Sequence, residues 1–211
     1  MNLSVRFLKL PVLAFLATIG FTSIATAQDA ATKPLTLDNP PNAIAPEVGV
    51  SEADRQQQIM KSMEYMLRRA QLTRTLAAEH LQYIKKNRDK AEVRLMEDAS
   101  QVMAFDLICE DEKMDGRALN QIAADTSFKI AMMAGRSTIG ARLTKLAAKQ
   151  TIEERMELIG DIATTVLMFE VGRRRGLFDA LLTDFGKKRF CAGMQTDMRT
   201  RYNEIIAGLG D

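Results

Sequence analysis

The stretch SEADRQQQIMKSMEYMLRRAQLTRTLAAEHLQYIKKN, residues 51–87, decides the fold. Ile59, Met63, Met66, Ala70, Ala77 and Ile84 recur at helical spacing on one stripe, and Leu72, Leu76 and Tyr83 widen it. Ser51 followed by Asp54 approximates a capping box, in which the hydroxyl takes up an orphan amide at the helix start. From Ser51 onward the chain has no proline, so nothing removes an amide donor from a helix interior. The pattern predicts a helix from 51 to about 87.

The same period continues downstream. A second helix, over about 90–112, places Val102, Phe105 and Cys109 on one face. A third, after Gly116, carries Leu119, Ile122, Thr126, Ile130 and Met133 at spacings of three and four. Gly135 ends it, and Ser137 can cap a shorter helix to about 149. Thr151 and Glu154 form a second capping-box signature, opening a helix with Ile152, Met156, Ile159, Ala163 and Val166 on one side. Gly172, Gly176 and Gly186 punctuate the segment beyond it. A last helix from about 188 to 208 presents Cys191, Met194, Met198, Tyr202 and Ile205. No run alternates with period two between turn residues, so no sheet is expected. The expected fold is an all-α bundle of five to seven helices, forming a single domain over 51–211.

Upstream the composition changes. Residues 28–50 contain Pro34, Pro40, Pro41 and Pro46, four of the chain's five prolines, and read as an extended, flexible tether. Residues 1–27 read as a signal peptide. Arg6 and Lys9 make a basic start, 10–24 is largely apolar, and Ala25-Thr26-Ala27 offers a small-x-small site with the cut after Ala27. An uncleaved anchor is the competing reading, although a membrane span needs about 20 apolar residues.

Export changes the charge argument. The full chain has 29 basic and 27 acidic residues, and losing Arg6 and Lys9 leaves 27 of each. A formally neutral mature chain carries no electrostatic signature for nucleic acid. No later segment is long and apolar enough to span a bilayer, since 159–171 is interrupted by Asp161 and Glu170. The expected location is periplasmic or secreted.

Two cysteines, Cys109 and Cys191, fall on the inward stripes of their helices. In an oxidising compartment an even count favours a disulfide, here closing a separation of 82 residues (191 minus 109). Redox chemistry would want a Cys-x-x-Cys pair or an adjacent base, and neither is present. After Cys109 comes an acidic run, Glu110, Asp111, Glu112 and Asp115, then Gly116. An EF-hand alignment with Gly116 at the sixth position puts Lys113 at the third and Ile122 at the twelfth, so the calcium-loop match fails. The run reads as a solvated turn whose Asp115 caps the next helix. This acids-then-glycine corner between two helices resembles the loop of TerB-type helical domains. The likeness covers that corner alone and implies no activity.

Met60, Met63 and Met66 form an M-x-x-M-x-x-M series. Thioethers are soft ligands suited to Cu(I), but a spacing of three drifts around a helix and brings three sulfurs together only approximately. Methionine also fills cores and suits adaptable binding surfaces. The stripe favours the core, with a partner groove and copper as alternatives. His80 is the only histidine, so triads, Glu-x-x-His di-iron motifs and two-histidine zinc motifs have too few members, and it reads as a partly buried structural residue. Arg173, Arg174 and Arg175 lie between Gly172 and Gly176. They read either as cations at a helix C-terminus or as a contact for an anionic partner.

No nucleophile–base pair, phosphate loop or metal cluster is legible, so no catalytic residue, metal or cofactor is assigned. The leading expectation is an exported helical-bundle protein acting by non-catalytic binding or as an envelope accessory factor. Its partner would be an envelope protein or a cell-wall or lipid component. A soft-metal or small-molecule binder using the methionine face is the alternative. An enzyme using paired carboxylates on cell-wall or lipid material comes third. Broad apolar stripes make a homodimer plausible.

Overall fold

A computed structural model describes Leu37 and residues 51–209 of the chain. The expected signal peptide and most of the tether lie outside these residues. Everything described belongs to one unit, Leu35–Asp211.

The described residues form six helices and no strand: α1 (Glu52–Lys86), α2 (Ala91–Cys109), α3 (Gly116–Gly135), α4 (Thr138–Leu146), α5 (Ile152–Phe185) and α6 (Lys187–Ala207). The all-α bundle is as expected. Four starts are set by the predicted caps. The Ser51, Asp115 and Ser137 side chains accept from the amides of Asp54, Arg117 and Ile139. Thr151 and Glu154 complete a reciprocal capping box. The stop of α2 is earlier than expected, because Glu110 turns into the left-handed region (φ 51°) and ends the helix at Cys109.

One expected interruption is absent. Gly172 and Gly176 sit inside α5, which runs unbroken for 34 residues, about 51 Å. A glycine costs a helix only about 1 kcal/mol, and the buried faces on either side outweigh that. The real stop is Gly186, whose φ of 77° no L side chain adopts cheaply.

Helix α2 lies at the centre. Val93, Met96, Ala99, Val102, Ala104, Phe105 and Ile108 are all buried, and its small residues let neighbours approach closely. Helices α1 and α5 run parallel. Tyr65 meets Gln150 just before α5, Arg69 meets Asp161, and Leu81 and Ile84 share a small cleft with Glu170 and Arg173. The pairs advance together along both helices. Helix α6 is antiparallel to α2, since Phe105 is near Phe190 while Asp98 pairs with Arg201. Leu37, in the segment read as a tether, is buried, and its amide donates to the Leu146 carbonyl at 2.9 Å.

Candidate functional site

The parallel register of α1 and α5 leaves the first part of α1 projecting past the start of its partner. Ile59, Met63, Met66, Ala70, Thr73, Ala77, His80 and Ile84 alternate in steps of four and three, a continuous heptad-like seam. Its downstream half is covered: Ala77, His80 and Ile84 are buried against the bundle. Its upstream half is open. Met60 is 64% exposed, Met63 52% and Met66 68%, with Ile59 and Leu67 beside them. The expectation that these methionines fill the core is corrected here. Periodicity identifies the apolar side of α1 but does not tell where the covering helices stop. At its downstream end the open seam meets a shallow groove of about 480 Å³, walled by Met66, Ala70 and Thr73 and by Asp161, Thr164 and Thr165 of α5. Arg69 holds that wall in place through Asp161 (2.6 Å).

The acidic corner is also rearranged. Cys109 and Cys191 form the expected disulfide, with Cα atoms 5.7 Å apart. Asp111 does not face water. It is buried and takes two bonds from Arg199 of α6, Nε to Oδ2 at 2.8 Å and a terminal nitrogen to Oδ1 at 2.6 Å. The Arg199 guanidinium holds this carboxyl below its ordinary range, against the effect of burial. The Lys113 amide and Gln195 add to the lowering. Beside it, the Asp115 amide donates to the Tyr202 hydroxyl at 3.1 Å. The corner is thus tied to α6 by a disulfide, an ion pair and two hydrogen bonds. Asp106, one turn before the corner, has its carboxyl pushed up, chiefly by desolvation.

His80 is fully buried, deeper than the partly buried position expected. Nε2 lies 3.2 Å from the Ile130 carbonyl of α3, while Nδ1 has no hydrogen-bond partner among the described residues. Burial lowers its pKa, so the ring is neutral. Its full burial and its contact with the Ile130 carbonyl suit a structural role.

Arg173, Arg174 and Arg175 lie within α5, so the helix end expected beside them is absent. Arg173 is spent on the buried Glu170 (2.7 Å), and Arg174 is partly buried with its Nε unpartnered among the described residues. Arg175 is exposed. A cleft of about 490 Å³ between α2, α3 and α6 holds Asp98, Asp125, Lys129 and Arg201. Glu92 and Glu204 also line it, while Asp98 is held by Arg201 and Asp125 by Lys129. Such pairs are poorly placed to act as a free acid and base. No group of three His, Cys, Asp or Glu side chains among the described residues could hold a metal ion. None of the described helices is long and apolar enough to cross a membrane.

No family model, no characterised protein and no solved structure matches the chain. The site must be read from its own chemistry. The candidate is the open seam of α1, whose signal in the sequence is the methionine series itself.

Proposed function

We propose that the protein is exported, cleaved after Ala27, and works in the periplasm or outside the cell as a non-catalytic binding or envelope accessory protein. The observation that carries this reading is the open half of the α1 seam. Burying a Met, Leu or Ile side chain fully is worth about 1.5–3 kcal/mol, so five roughly half-exposed ones leave on the order of 5 kcal/mol unrealised. Scattered single apolar residues need no explanation, but a contiguous row on one helix face does. Flexible thioethers adapt to an irregular partner surface at little cost.

The test is a photo-crosslinker at Met63 in protein exposed to envelope extract. A discrete adduct is expected from this position, absent when the probe sits at Lys61, and lost in M66Q/L67Q. No adduct at Met63, together with turnover of an envelope substrate by the purified protein, would overturn the reading. The exposure of Met60, Met63 and Met66 on successive turns also supports the soft-metal alternative. Titration with Cu(I) decides it, because identical weak uptake by the protein and its Met-to-Leu variants removes copper from consideration.

A further inference from the structure

At the opposite end of the α1–α5 pair, α5 in turn outruns α1. Leu177, Leu181 and Phe185, four residues apart, form a second apolar stripe, 51%, 39% and 57% exposed. The stripe is about 12 Å long, eight residues at helical rise. Cations follow it directly: Lys187, Lys188 and Arg189 come just after the Gly186 corner, whereas Arg175, two residues before Leu177, projects from another face of α5. These three are exposed, and none forms an ion pair among the described residues. Between 170 and 189 there are six basic residues against three acids, Glu170, Asp179 and Asp184, an excess of three in a chain whose net charge is only +2.

The cations after the corner occupy the first turn of α6, whose N-terminus has no side-chain cap. Open amides and the helix dipole favour negative groups there, so three cations in that turn work against the fold's own electrostatics. An external anion would satisfy both the amides and the cations. The corner is held firm from inside, with Phe178 and Phe190 rings 5.2 Å apart and Phe105 behind them. Stripe and cations therefore keep one relative placement.

We propose that the α5–α6 corner is a docking site for an anionic lipid surface. A soluble anion would need the cations alone. An interfacial docking site needs apolar side chains entering beside cations that meet the headgroups, and here Leu177, Leu181 and Phe185 lead directly to Lys187, Lys188 and Arg189. This site is separate from the α1 seam, and either can fail without the other.

The experiment is cosedimentation of the purified protein with vesicles of phosphatidylcholine, alone or mixed with phosphatidylglycerol, over a salt series. Binding is expected only to the mixed vesicles, weakening as salt rises. K187Q/K188Q/R189Q should weaken it on the order of a hundredfold, each cation near an anionic surface contributing about fivefold. L177Q/L181Q/F185Q should weaken it at constant charge, and M63Q/M66Q should leave it unchanged. All substituted side chains are solvent-exposed, and circular-dichroism melting checks that each variant folds. Equal binding to both vesicle types, binding to neither, or an unaffected cation variant would overturn the proposal. Capture of soluble polyphosphate with no vesicle binding would also overturn it and reassign the corner to a soluble polyanion.

Discussion

Reduction of the Cys109–Cys191 bond should loosen the protein more than any single surface change. The two cysteines are 82 residues apart, and closing a loop of that length restricts the unfolded chain by about 4.5 kcal/mol at 25 °C in the chain-entropy model. Strain and residual denatured-state structure reduce that figure, so about 3–4.5 kcal/mol is expected. For a chain of this size 1 kcal/mol moves Tm by about 2–4 °C, which places the reduced protein roughly 6–18 °C lower. The Asp111–Arg199 pair and the Asp115–Tyr202 hydrogen bond still hold the corner after reduction, so the protein should remain folded at room temperature. Urea unfolding of the protein with and without a phosphine reductant, and of C109A/C191A, measures both stability and slope. Because the effect acts on the unfolded chain, the urea m-value should rise on reduction as that chain expands. A Tm change below about 2 °C, or free thiols found in the untreated protein, would refute the reasoning.

Two further outcomes concern buried groups. His80 is neutral in the folded protein, while in the unfolded chain it titrates near pH 6.5. Above that pH both states carry the neutral ring and stability is unaffected. Below it only the unfolded chain takes up the proton, so stability should fall by up to about 1.4 kcal/mol per pH unit until the buried ring also protonates. Urea midpoints at pH 7.5 and 5.5 should show that slope in the natural protein and lose it in H80Q, and an equal slope in both would place the titration elsewhere. Gly140→Ala should cost about 1–3 kcal/mol, since its Cβ would lie 2.4 Å from the Gly135 carbonyl oxygen and the α3–α4 turn would have to shift. Thermal melting of G140A against G160A, where nothing lies within 4 Å, isolates the clash from the helix-propensity gain.

The residues that announce the fold are those whose chemistry is local. Ser51, Asp115, Ser137 and Thr151 act on amides two or three positions away, and each caps the helix that its sequence pattern predicts. The inward stripes of α2, α3 and α6 are equally legible, because the partners of those helices run alongside their apolar faces. Structure and expectation part where the outcome depends on distant chain. Asp111 looks like one more acid in a turn, and only the arrival of Arg199, 88 positions later, gives it a buried partner. Gly172 and Gly176 look like stops until the surrounding packing of α5 is known. The methionine series looks like core because its period is that of a core, and nothing local records where α5 begins relative to α1.

The placement of the disulfide divides the molecule in a way that bears on proteolysis. The covalent loop encloses α3, α4 and α5 with the end of α2 and the start of α6, so a protease nick anywhere between 110 and 190 leaves two pieces still joined as one molecule. Helix α1 lies outside that loop. A single cut in the short turn between Lys86 and Ala91 would sever it from the rest, leaving it held by noncovalent contacts alone. The helix that carries the open methionine seam is therefore the long helix that the chain can shed without breaking its covalent frame.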